Sequence, residues 1–212
     1  SDAAVCFDLF GTLVDAERPV DPASAVGEAL RDRGVAVPDD WATAYGEPHI
    51  DAPEGAEVPL PAHVSAALQD RGVDAPNNAP RRAVVSAFDP DVETRPGATE
   101  AVEAAREYGP VGLLSNCSVP ELVGRTLIRS DLAREEFDAV VSSVSCGWRK
   151  PDQRAFKTVA RKLGVSVDRL VYVGDSPAVD GGIADCGGTF VDVADTPLSR
   201  LPDRLDEVCE TV

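Results

Sequence analysis

Short, largely apolar runs rich in Val, Leu and Ala recur at wide intervals along the chain: Ala3 to Phe7, Val111 to Leu114, Ala139 to Val141, Leu170 to Val173 and Thr189 to Val193. Continuous runs of this length, without strict polar alternation, suit strands buried on both faces. Most of the intervals between them carry helical period and helix punctuation. Pro151 to Leu163 reads as a helix that Pro151 starts, and Gly164 supplies its C-terminal stop. Strands alternating with helices imply an α/β fold, a parallel sheet covered by helices.

One interval breaks this rhythm. Between Phe7 and Val111 no convincing strand pattern is visible, and the segment reads as an inserted helical cap over residues 18–94, with the core domain formed by residues 1–17 and 95–212. Asp21 followed by Pro22 makes a cap and first-turn pair for a helix running to Gly34, with Val26, Ala29 and Leu30 on one face. Further helices are expected at Asp40 to Tyr45, Ala62 to Arg71 and Arg81 to Phe88. Glu47 to Pro61 and Gly72 to Pro80, rich in proline, glycine and acidic residues, read as linkers or mobile loops. A helix from Ala98 to Tyr108 re-enters the core.

At 212 residues the chain can bury one good core and carry an insertion. Its 37 acidic residues against 20 basic ones give a net charge of -17, which would repel nucleic acid and anionic membrane surfaces. Lys150, Lys157 and Lys162 are the only lysines, methionine is absent and Asp outnumbers Glu. That pattern resembles proteins of salt-loving archaea, whose cytosol would screen the charge; an ordinary acidic protein from a GC-rich genome would look similar. Cys6, Cys117, Cys146, Cys186 and Cys209 are odd in number and contain no CxxC pair, which argues against a disulfide framework or a zinc site. No apolar run reaches the roughly 18 residues of a membrane helix, and no basic-then-apolar leader precedes the first strand. A soluble, cytoplasmic protein is expected, a monomer or weak dimer, because no exposed apolar stripe stands out.

In an open parallel sheet, ligands lie beyond the carboxyl ends of the strands. Four such positions carry usable chemistry. Asp8 follows the first run and precedes Gly11 and Thr12, which let the chain turn away; a carboxylate there can act as a nucleophile, although a lone Asp at a strand end is more often a cap or turn residue. Ser115 and Asn116 can hold an anionic oxygen, or simply form a strand-to-helix turn. Lys150 can neutralise charge at a nucleophile, or be solvated surface. Asp175 and Asp180 offer the oxygens that suit Mg²⁺, or cap a helix.

Together and in this order, DLFGTLVD, LLSN, GWRKPD and VGDSPAVD resemble the four motifs of the haloacid dehalogenase superfamily, and RPGATEAVEAA resembles its usual re-entry after the cap. The resemblance covers nearly the whole chain apart from the cap. It implies a five-stranded Rossmann-like sheet with a mobile cap. It further implies Asp8 as nucleophile, Ser115 (with Thr12 and Asn116) on the transferring group, and Lys150 paired with Asp8. Mg²⁺ would be held by Asp8, Asp175 and the backbone carbonyl of Phe10, with Asp180 orienting Lys150 or a metal-bound water.

The pattern is broken at Phe10. Most phosphatases of this family carry a second aspartate there as general acid and base, a function worth about 10² to 10⁴ in rate, or roughly 3 to 5 kcal/mol. Its absence leaves three outcomes. A phosphohydrolase would need a leaving group that requires no proton, such as an acyl phosphate. A dehalogenase would also bear an aromatic here, but usually replaces the aspartate corresponding to Asp175 by serine and uses a cap arginine to which neither Arg31 nor Arg33 can be aligned. A low-turnover protein would bind a phospho-ligand or partner. The expected substrate is a small phosphorylated or otherwise anionic metabolite. Among the remaining residues, His49, His63, Trp41 and Tyr45 are the cap's conspicuous recognition groups, although a cap histidine is more often surface or linker and Trp41 reads as packing area. Trp148 reads as packing area, or, two residues before Lys150, as a wall of the site, and Cys117 reads as a small buried side chain.

Overall fold

A computed structural model describes residues 3–209; residues 1–2 and 210–212, the outer ends of the expected core domain, lie outside the described residues. The chain begins with β1 (Ala4–Phe7) and β2 (Val14–Ala16), then passes through helices α1 (Pro22–Arg31), α2 (Trp41–Gly46), α3 (Leu60–Asp70) and α4 (Ala79–Ala87) to β3 (Val92–Thr94). It continues through α5 (Ala98–Ala105), β4 (Val111–Ser115), α6 (Leu122–Arg129), β5 (Ala139–Ser142), α7 (Ser143–Cys146), α8 (Gln153–Leu163), β6 (Leu170–Gly174), β7 (Thr189–Asp192) and α9 (Leu201–Cys209). All five runs singled out by their composition are strands of one parallel sheet, in the order β5-β4-β1-β6-β7.

Strand alternation divides the sheet residues between two apolar layers. Val5, Phe7, Val111, Leu113, Val171 and Val173 face one, with α5, α9 and the inserted helices. Ala4, Cys6, Leu114, Leu170 and Tyr172 face the other, under α8 with Phe156 and Val159. The Val, Leu and Phe side chains among them contribute about 1.5–3 kcal/mol each when fully buried. β1 is the central strand, with β4 on one side and β6 on the other, so the loops after these three strands diverge around its carboxyl end.

Helix α1 starts as its sequence indicates: Asp21 accepts from the Ser24 N–H at 3.0 Å, and Pro22 occupies the first turn. Two expectations need correction. The interval between the first two sheet strands does contain strands, because β2 and β3 pair antiparallel as a small two-stranded ribbon through which the chain leaves the core and returns. Three-residue strands are too short to show periodicity, and their pairing is distant in sequence. Helix α8 begins at Gln153 rather than at Pro151, since the Asp152 carboxylate caps it by accepting from the Arg154 N–H at 2.8 Å.

The segment expected to be a linker before α3 is pinned in part. Arg149 N–H donates to the Gly55 carbonyl at 2.8 Å, Glu57 N–H to Gly147 at 2.9 Å, and Leu60 N–H to Ser118 at 2.9 Å. The Glu57 carboxylate, only 3 % exposed, pairs with Arg149 at 2.7 Å and accepts from the Ser143 hydroxyl. The five cysteines are free. No helix among the described residues is long and apolar enough to cross a membrane.

Candidate active site

Asp8 lies just past the end of β1, and its N–H donates to the Val173 carbonyl at 2.9 Å. The chain then doubles back. The N–H groups of Thr12, Leu13 and Val14 converge on the Leu9 carbonyl at 3.3, 2.9 and 3.1 Å, and the Gly11 N–H donates to Val14 at 2.8 Å. None of these bonds uses the Phe10 carbonyl. Gly11 has φ +80°, and a Cβ there would lie 2.5 Å from Asp175 Oδ2, so glycine is what lets this turn approach the loop after β6. The buried Thr12 hydroxyl donates to Asp175 Oδ1 at 3.3 Å; the side chain expected to meet phosphate is engaged with a neighbouring acid.

Lys150 is 4 % exposed, and its ammonium donates to Asp8 Oδ1 at 2.9 Å, Asp180 Oδ1 at 2.7 Å and the Tyr172 hydroxyl at 2.7 Å. An ammonium has three N–H donors, so all are engaged. The Tyr172 hydroxyl in turn donates to the Leu114 carbonyl at 2.6 Å and therefore presents its oxygen to Lys150 as an acceptor. Asp180 is held from its other side by the Ser176 N–H at 3.1 Å, and packs against Gly174, where any side chain would overlap its carboxylate.

Asn116 takes a different place from the one expected. Its carbonyl accepts from the Lys150 N–H at 2.8 Å and its amide donates to the Lys150 carbonyl at 2.9 Å, so it clamps the lysine backbone rather than presenting its amide to an anion. Ser115 is 1 % exposed, and its Oγ has no hydrogen-bond partner among the described residues. Phe7 aligns with Leu113, which puts Ser115 one residue further along its strand than Asp8.

Asp8, Asp175 and Asp180 each offer a carboxylate oxygen within 4.8 Å of the others. The cluster holds three carboxylates and one ammonium, which pairs with Asp8 and Asp180 but not with Asp175, so acidic groups outnumber basic ones there. Burial pushes the Asp8 carboxyl up to about 6; Lys150 opposes the rise and Asp180 adds to it. Burial likewise raises the Cys117 thiol, whose Sγ donates to the Val119 carbonyl at 3.4 Å, so it is not an activated thiolate.

A cavity of about 120 Å³ is walled by Phe10, Phe88, Val119 and Leu122 and bordered by Arg18, Asn116 and Arg149; it meets the nucleophile loop at Phe10 and the Lys150 clamp at Asn116, and none of the four clustered side chains lines it. None of the expected recognition groups lines it. Trp41 (4 % exposed), Tyr45, His49 and His63 stack with one another inside the inserted helices. Trp148 does not line it either; its ring packs against the Arg154 guanidinium at 3.3 Å, the packing role expected of it.

Residues 3–187 match the family model described as haloacid dehalogenase-like hydrolase. The chain belongs to the haloacid dehalogenase-like hydrolases. Phosphatase MT3486 of Mycobacterium tuberculosis is 37% identical over 95 residues, which cover 44% of this chain and 42% of that protein. The chain thus spans about two-fifths of the length of the curated relatives it matches. A 2-haloacid dehalogenase from Pseudomonas syringae pv. Tomato superposes with TM-score 0.63 at 19% identity, covering 97% of this chain and 98% of that one. A family enzyme from Bacteroides thetaiotaomicron, in complex with magnesium and inorganic phosphate, gives TM-score 0.58 at 16% identity over 90% of this chain and 93% of that one. At such identities the two structures establish a shared fold.

Tyr172, Arg18, Glu57 and Arg149 are site or near-site residues that motif reading passes over. Tyr172 alone had a signal, since a tyrosine inside an aliphatic buried strand must find a partner for its hydroxyl.

Proposed function

We propose that this hydrolase is a Mg²⁺-dependent phosphohydrolase acting on a small phosphorylated metabolite through an aspartyl-phosphate on Asp8. The observation that carries the proposal is the buried Ser115 hydroxyl, without a hydrogen-bond partner among the described residues, at the end of the strand that neighbours the one delivering Asp8, whose carboxylate is paired with a buried ammonium. A buried donor without a partner is costly, and a phosphoryl oxygen would satisfy it.

The residues present also fit a divalent cation. All donors are oxygens, the three carboxylates exceed the one ammonium in charge, and the Gly11 turn brings Asp175 against the Asp8 loop. Asp8, Asp175 and the free Phe10 carbonyl would hold Mg²⁺, which when bound would neutralise phosphoryl charge as a Lewis acid. The name of the tuberculosis relative and the magnesium–phosphate complex of the Bacteroides enzyme support the same direction.

In the first step an Asp8 oxygen forms a bond to phosphorus while the bond to the leaving oxygen breaks. Lys150 holds Asp8 in line, and Ser115 donates to a non-bridging oxygen. Water then attacks phosphorus, returning the Asp8 carboxylate and releasing phosphate with the water's protons. Asp180 and Tyr172 keep the ammonium aimed at Asp8 throughout. The inserted helices would act as the cap over residues 18–94, closing the cavity over the leaving group.

A 2-haloacid dehalogenase remains the second reading, favoured by Phe10; Asp175, held against the nucleophile loop by Thr12, weighs against it, because carbon–halogen cleavage needs no metal. Phosphate release from acetyl phosphate, nitrophenyl phosphate and sugar phosphates, with Mg²⁺ and with chelator, tests the proposal beside chloride release from 2-chloropropionate. Metal-dependent phosphate release supports it. Chelator-indifferent halide release replaces it with the dehalogenase, and silence in every assay replaces it with a binding role.

A further inference from the structure

The cavity lined by Phe10 and Asn116 is asymmetric in charge. Of its two arginines, Arg149 is neutralised by the buried Glu57 carboxylate at 2.7 Å. Arg18, at the point where the chain enters the insertion, has no carboxylate within ion-pair distance among the described residues, and its guanidinium lies over the Phe10 ring, 5.9 Å from the centroid. Glu17 also borders the cavity, but makes no ion pair with Arg18. Arg18 is exposed, so a small anion entering the cavity from solvent can reach its guanidinium.

Phe10 explains how this charge is kept available. A carboxylate at position 10 would bring a negative charge near the guanidinium, which the aromatic ring does not. An aromatic ring there holds the cation in place through its face while leaving its N–H fork free.

We propose that this cavity receives the leaving group and that Arg18 binds a carboxylate on it. The inference rests on the phosphohydrolase proposal and names its substrate class: a small phosphate compound whose leaving group departs as, or carries, a carboxylate. At about 120 Å³ the cavity is somewhat smaller than one that admits benzene, so the leaving group has about three to five carbon atoms. For an acyl phosphate, the phosphorus–oxygen bond breaks with its electron pair going to the carboxylate oxygen, and no proton is needed. Arg18 then supplies by charge what an acid at position 10 would supply by protonation. For a phosphorylated hydroxy acid the carboxylate is remote from the breaking bond, and Arg18 only anchors it.

Binding is tested without turnover. In a titration of the whole protein followed by NMR, butyrate should shift the Phe10, Arg18 and Asn116 signals, and butyramide of the same shape should not. Arg18→Gln should weaken butyrate binding ten-fold or more. Butyrate that binds the variant equally well, or that leaves these signals unmoved, overturns the proposal. Kinetics then separate the two sources: with butyryl phosphate Arg18→Gln should lower kcat, whereas with phospholactate it should raise KM with kcat retained. Indifference to Arg18 with both substrates also overturns it. If butyrate binds through Arg18 but no phosphate ester or anhydride is hydrolysed, the carboxylate site stands and the phosphohydrolase proposal falls.

Discussion

Replacing Asp8 by Asn should abolish turnover and at the same time stabilise the fold. The Asp8 carboxyl is pushed from 3.8 to about 6 by burial, which Lys150 only partly offsets. Ionised Asp8 is therefore a liability to the metal-free fold. Between pH 3.8 and about 6 the folded protein holds a proton there that the unfolded chain has lost, so stability falls as pH rises through this window. Above it the cost is about 3 kcal/mol, at about 1.4 kcal/mol for each tenfold change in proton affinity. Asn removes the charge but keeps an oxygen for the Lys150 ammonium, which also retains Asp180 and Tyr172. Urea or thermal unfolding in chelator should show Asp8→Asn more stable than the parent by about 3 kcal/mol at pH 8, a rise in Tm of about 6–12 °C, and by about half as much at pH 5. A variant less stable than the parent at both pH values, or a gain that does not change with pH, would refute the reasoning.

Tyr172→Phe removes an acceptor from a buried ammonium and a donor from the Leu114 carbonyl; it should cost about 1.5–3 kcal/mol in unfolding free energy and lower kcat more than it alters KM. Phe10→Asp should raise activity on simple phosphate monoesters while weakening butyrate binding, because the new carboxylate both supplies an acid and neutralises Arg18; monoester hydrolysis that does not increase would show that the acid is not what limits it. His49 donates from both ring nitrogens, to the Ala44 carbonyl at 2.6 Å and the Asp70 carboxylate at 2.5 Å, which raises its pKa. The stability it contributes is complete below the ordinary histidine pKa and is lost as pH rises through the raised one, so His49→Gln should destabilise the protein more at pH 5.5 than at pH 9 in paired melting curves.

The five sheet strands are legible in the sequence as short apolar runs: β1, β4 and β6 are buried on both faces, and the edge strands β5 and β7, though partly exposed, keep the same Val- and Ala-rich or aromatic composition. The four motif segments are legible because a parallel sheet delivers each strand end to one edge, and the structure brings Asp8, Lys150, Asp175 and Asp180 together there. Features made by pairing across long sequence separations are hidden. The β2–β3 ribbon joins residues that flank the whole insertion, and the segment from Gly55 to Leu60 is fixed only by backbone bonds to Gly147, Arg149 and Ser118. Side-chain direction is hidden too. Asn116 in a strand-end turn gives no sign that it faces Lys150 rather than a ligand, and Arg18 gives none that it lies over Phe10.

Beryllium fluoride, which mimics a phosphoryl group on a carboxylate, tests the central claim without knowledge of the substrate. Fluorine NMR of the protein with fluoride, beryllium and Mg²⁺ should show bound signals that vanish on chelation of Mg²⁺ and in Asp8→Asn. Absence of bound signals in the parent protein, or signals that persist unchanged in Asp8→Asn, would contradict an Asp8-centred, metal-assisted phosphoryl transfer.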